Sequence, residues 1–75
     1  MAITIGNYVF DGSYSSPAFL DDKSGVYVVL GATMNGHKVV DIGESGWVRT
    51  RVQCHDRAQA WARQGLPLSY AALYC

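Results

Sequence analysis

Nowhere in the 75 residues is there an apolar run long enough to cross a bilayer, and no positively charged segment leading into an apolar stretch opens the chain. No membrane association is expected, and the cytoplasm is the expected compartment. Cysteine is scarce. Cys54 and Cys75 are too few for a disulfide framework, so two free thiols in a reducing environment are expected. Cys54 directly before His55 is not metal-ligand spacing, which argues against a zinc site. Net charge is also missing: the formal total is +0. That argues against tight non-specific nucleic-acid binding, which scales with the number of phosphates neutralised. Internal repeats and low-complexity segments are absent, and no Asp or Glu occurs after Asp56.

What charge there is divides unevenly. Up to Gly46 there are two lysines, Lys23 and Lys38, against Asp11, Asp21, Asp22, Asp41 and Glu44. Beyond it stand Arg49, Arg51, Arg57 and Arg63 against Asp56 alone. An acidic front followed by an all-arginine region can present a small basic patch to phosphate. The length allows one domain at most, and a chain this short buries only about 60% of its unfolded surface. An apolar fraction of 49% offsets that and favours self-association.

Ile3 to Phe10 alternates loosely and predicts a short edge strand, weakened at Gly6-Asn7 by a bulge or an early end. Asp11 to Ser24 is rich in Ser, Asp, Gly and Pro and reads as a packed surface loop, with a helical turn after Pro17. Two valine-rich runs around Asn35-Gly36 predict a β-hairpin over 26–42. A two-residue Asn-Gly turn would put Asp41 on the face of Val28 and Leu30, burying a carboxylate among aliphatics at a cost of several kcal/mol. A three-residue loop, Met34-Asn35-Gly36 with Gly36 left-handed, avoids this. It gathers Val26, Val28, Leu30, Val40 and Ile42 on one face and makes Tyr27 and Asp41 neighbours on the other. His37 at the hairpin tip is given no role.

One or two helices are predicted within 46–64. Ser45 is the expected N-cap, and Asp56 either caps a second segment or lies within a continuous helix. Gly65 and Leu66-Pro67 stop the helical region. Trp61 is expected in the core. Leu68 to Tyr74 alternates as a last strand joining the hairpin. The fold expected is therefore α+β, a small antiparallel three-stranded sheet (hairpin 26–42 plus strand 68–74) with the helices packed on it.

The candidate chemistry lies between Asp41 and His55. Helical spacing puts Arg51 and His55 on one face and Val48 and Val52 on a neighbouring, buried one. A guanidinium and an imidazole beside a strand end that carries Asp41 and Glu44 form a candidate anion-handling site.

With these residues in place the chain resembles a GIY-YIG nuclease domain. Ser24-Gly25-Val26-Tyr27 stands where that family has its Gly-Ile-Tyr motif, and Asp41-Ile42-Gly43 where it has Tyr-Ile-Gly. Glu44-Ser45 matches the polar residue and hydroxyl that follow. Val48, Arg51, Val52 and His55 fall at the spacing of the family's apolar residue, catalytic Arg, apolar residue and His. The resemblance covers roughly residues 23–57 and implies a single GIY-YIG-like domain over 1–75, without the family's usual C-terminal helix. It implies phosphodiester hydrolysis of DNA or RNA assisted by Mg²⁺ or Mn²⁺.

In that reading Tyr27 positions or deprotonates the attacking water. Arg51 stabilises charge on the phosphoryl oxygens, and His55 assists at the water or the scissile phosphate. Asp41 replaces the second-motif tyrosine and is a candidate base or metal ligand. Arg49, Ser45 and Arg57 are candidate substrate contacts. The family's metal-binding glutamate follows the third strand and has no counterpart here, which leaves Glu44 and Asp41 as the candidate metal ligands. The missing helix also implies an exposed sheet edge, covered by a second copy or a partner. A non-catalytic module that keeps the fold, binding nucleic acid weakly or assembling with itself, is the alternative function.

Overall fold

The computed structural model describes residues 2–75. About half of the chain is strand, and the elements in order are β1 (Ala2–Ile5), β2 (Tyr8–Tyr14), a short 3-10 turn (Pro17–Phe19), β3 (Gly25–Thr33), β4 (Gly36–Ser45), α1 (Val48–Gln53), α2 (Ala58–Ala62) and β5 (Leu68–Tyr74). All five strands pair antiparallel in one curled sheet of order β1-β2-β5-β3-β4. This corrects the three-stranded expectation. Gly6-Asn7 is not a bulge within an edge strand but the two-residue turn of a hairpin, with Gly6 at φ +62 and Ile5 opposite Tyr8. Asp11 to Tyr14, expected as loop, continues β2 and pairs with Ala72, Ala71 and Tyr70.

The correction changes the sheet edges. β5 has β2 on one side and β3 on the other, so the last strand does not offer the open edge that motivated self-association. The outer strands are β1 and β4.

The β3–β4 turn is shorter than expected. Thr33 pairs with Gly36 across Met34-Asn35, and a shift opposite Val29 and Leu30 leaves Val40 as an extra residue. Beyond that bulge the pairing is Val29 with Asp41 and Tyr27 with Gly43, so Tyr27 and Asp41 share a face as expected. Val40 does not join Val28 and Leu30. The extra residue turns it to the helical side, where it packs against the cluster containing Tyr27 and Val29.

Each sheet face has its own core. On the helical side Leu20, Tyr27, Val29, Val48, Val52, Trp61 and Ala72 pack together. On the other, the curl brings Ile3, Ile5 and Phe10 of the first hairpin against Val28, Leu30 and Ala71. Val48 and Val52, four apart, are the buried stripe of α1. Burial of a side chain of this size contributes about 1.5–3 kcal/mol.

The helical region is broken. α1 ends at Gln53 and α2 begins at Ala58, because the Arg57 amide donates to Nδ1 of His55 at 3.0 Å rather than to a helical carbonyl. Neither expected cap operates. Ser45 lies in β4, where its Oγ accepts the Trp47 amide at 3.0 Å, and α2 has no side-chain cap. The first turn of α1 is held from a distance by Asp22, which accepts the Thr50 amide at 2.9 Å and the Thr50 hydroxyl at 2.7 Å. Among the described residues no helix is long and apolar enough to cross a membrane.

Candidate functional site

β3 and the α1–α2 break bring two of the sequence-selected residues into direct contact. Tyr27 Oη lies 2.6 Å from His55 Nε2, and the phenol and imidazole meet edge to face with centroids 5.7 Å apart. Both are buried, Tyr27 at 2% exposure and His55 at 5%. Gly43, paired opposite Tyr27, makes room for the phenol. A Cβ at that position would fall 2.6 Å from Tyr27 Cζ and nearer still to its oxygen.

The imidazole is held on three sides. Nδ1 accepts the Arg57 amide, and the indole of Trp61 lies over the ring with centroids 4.6 Å apart. The third side is the Tyr27 phenol. Burial, and then the Arg51 and Arg57 cations, hold His55 below the ordinary imidazole range, so the ring is neutral at pH 7. A neutral ring whose Nδ1 accepts an amide hydrogen carries its own proton on Nε2. In that tautomer His55 donates to the Tyr27 oxygen, and the phenol's own O–H is not used in this bond. Asp56 Oδ1 also approaches Nδ1, at 3.1 Å. With the lone pair on Nδ1 both atoms are acceptors, so neither a hydrogen bond nor an ion pair joins them.

Asp41 sits on the same face of the sheet. Its side chain is only 12% exposed. Oδ2 accepts from Trp61 Nε1 at 2.7 Å and lies 3.2 Å from Arg57 Nε, and Oδ1 accepts the Ile42 amide at 2.8 Å. Arg57 in turn brings Nη2 to 3.4 Å from His55 Nε2. A connected group of Tyr27, His55, Arg57, Asp41 and Trp61 results. Sequence spacing gave no indication that Trp61 would be a donor to Asp41, because indole is read first as an apolar anchor.

Other sequence-selected residues fall outside this group. Arg51 is 44% exposed and reaches Asp56 Oδ1 at 3.7 Å; its charge is felt at His55 without a direct bond. Arg49 stands beside Asp22, whose carboxyl is held below the usual range first by the Thr50 amide and hydroxyl, with Arg49 contributing further. Ser45 is occupied by the Trp47 amide. Glu44 pairs with Val26 and so projects from the face opposite Asp41. It borders an open hollow of about 380 Å³ lined also by Ser24, Gly25, Ser45, Gly46 and Cys75. That hollow contains none of the Tyr27 group.

The residues present do not fit the divalent ion that the resemblance implies. Asp41 already accepts two hydrogen bonds and pairs with Arg57, and Glu44 lies across the sheet, so the two do not form one ligand set. Among the described residues no group of three or more His, Cys, Asp or Glu is arranged to hold a metal. Cys54 and Cys75 are free and exposed. No family model, curated protein or solved structure matches the chain.

Proposed function

We propose that this domain acts on the phosphodiester backbone of nucleic acid, in the manner of the GIY-YIG nucleases that it resembles at Tyr27, Arg51 and His55. The observation that carries the reading is the 2.6 Å approach of Tyr27 Oη to His55 Nε2. Two polar side chains 28 positions apart are paired inside an otherwise apolar layer, beside two arginines. In-line displacement at phosphorus needs an oriented oxygen and fixed positive charge where the phosphoryl oxygens become more negative. In this reading His55 fixes the phenol by donating from Nε2, and Tyr27 orients the incoming oxygen once the layer covering the pair opens. Arg51 and Arg57 supply permanent cations with forked donors suited to phosphate.

A second reading is a non-catalytic module that keeps the pair as a core hydrogen bond. The burial of Tyr27 and His55 favours it, because neither reaches solvent directly in this conformation.

Hydrolysis of end-labelled single- and double-stranded oligonucleotides, in Mg²⁺ or Mn²⁺ and in chelator, separates the two. Cleavage by the wild type that falls at least a hundredfold in a folded Tyr27→Phe supports the first reading. Binding without cleavage supports the second. Cleavage equal in wild type and variant identifies a contaminating nuclease and removes the first.

A further inference from the structure

From the Trp61–Asp41–Arg57 geometry we infer that Arg57 is the principal phosphate clamp of this site and that Asp41 is its positioning residue. The inference rests on the phosphodiester reading above and deepens it, because the resemblance gives the leading role to Arg51. Arg51 extends towards Asp56 and bonds to no member of the Tyr27 group. Arg57 instead touches both ends of that group, with Nε on Asp41 and its backbone amide donating to His55 Nδ1.

The edge of the guanidinium in use decides what remains. Asp41 Oδ2 takes the Nε–H edge at 3.2 Å, which leaves the Nη1–Nη2 edge for two parallel bonds to phosphate oxygens. The Arg57 side chain as a whole is 55% exposed. Asp41 is itself a fixed support. The Trp61 indole N–H holds the same oxygen and the Ile42 amide holds the other, so the carboxylate cannot follow Arg57 outward. A half-buried carboxylate held by two further donors and paired with Nε fixes the direction of the fork.

The anion so bound would lie on the exposed side of Arg57, with the buried Tyr27–His55 pair beneath it. A held, forked cation suits the tetrahedral oxygens of a phosphodiester.

Equilibrium binding of the full chain to a short single-stranded oligonucleotide, titrated with salt, tests this. Arg57→Ala is expected to weaken binding about tenfold and to flatten the slope of log affinity against log salt by about 0.7, the value of one lost phosphate contact on a single strand. Arg57→Lys keeps the charge and the slope but loses the fork, and binds about fivefold more weakly. Asp41→Asn is expected to weaken binding about threefold at unchanged slope and to have no further effect in an Arg57→Ala background. Trp61→Phe, which keeps the ring over His55 but removes the N–H, should give the same loss in smaller measure. Thermal unfolding of each variant separates these losses from unfolding. An Asp41→Asn that binds more tightly would make Asp41 a competitor for Arg57 and overturn the inference. A wild type that depends on Arg51 and is indifferent to Arg57 overturns the inference and leaves the phosphodiester reading standing. A wild type that binds no oligonucleotide even at low salt overturns both.

Discussion

Gly43 and Tyr27 are fitted to each other: the phenol ring lies where any side chain on residue 43 would begin. The phenol occupies this position across the hairpin because the opposing residue has no Cβ, and from there it reaches His55. Gly43→Ala must push either the ring or the strand aside. It is expected to cost about 1–3 kcal/mol, the range of overpacking in a filled core. Urea denaturation would show this as a lower midpoint at unchanged slope.

Tyr27→Phe keeps the ring and removes the oxygen that accepts from His55. The buried imidazole N–H is left without its partner, at a cost of about 1–3 kcal/mol. Nitrogen-15 spectra of the imidazole provide an independent check. Nε2 carries the proton and Nδ1 the lone pair in the wild type, and the Nε2 resonance should shift in the variant while Nδ1, still bonded to the Arg57 amide, moves little.

The stability of the fold should fall in mild acid. His55 has its affinity for a proton lowered by burial and by Arg51 and Arg57, from an ordinary value of 6.5. As pH drops below about 6.5 the unfolded chain takes up a proton that the folded chain still refuses, so the unfolded state gains. The contribution is complete above the ordinary value, is lost as pH falls towards the folded one, and is level below that. Melting temperatures between pH 7.5 and 5 should decline for the wild type. In His55→Gln that component of the decline should be absent.

Asp22 should matter to α1 although it lies outside the helix. Asp22→Ala removes the acceptor of both the Thr50 amide and the Thr50 hydroxyl, and faster amide exchange in residues 48–50 is the expected consequence. The Asp22 carboxyl has a lowered pKa. Its contribution is therefore present above about 3.8 and is lost as pH falls through the folded value. A wild-type α1 with amide exchange identical to the variant's would contradict the capping role.

These features were not equally legible in the sequence. Valine-rich runs with a turn signal between them disclosed β3 and β4, and alternation disclosed β5. Helical spacing disclosed the Val48–Val52 stripe. The placement of Tyr27 and Asp41 on one face followed from the cost of burying a carboxylate. The N-terminal hairpin was hidden because Gly6-Asn7 interrupts an already weak alternation, and one broken strand and two short ones look alike at that length. The Val40 bulge was hidden because a turn fixes register only until the next irregularity. Asp22, Trp61 and the Arg57 amide act over distances or through atoms that local spacing does not encode. His55 could be found by its spacing from Arg51. That its partners would be Tyr27 and Arg57, with Arg51 left outside, depends on the helix break at Cys54–Arg57.

Single-turnover cleavage of a labelled oligonucleotide by wild type and Tyr27→Phe, with both proteins shown to be folded, tests the proposed action on phosphodiesters most directly. The expected result is measurable cleavage by the wild type and a rate at least a hundredfold lower in Tyr27→Phe, within the span ascribed to a positioned proton donor or acceptor. A folded Tyr27→Phe that cleaves at the wild-type rate, or a wild type that does not cleave at all, would contradict it.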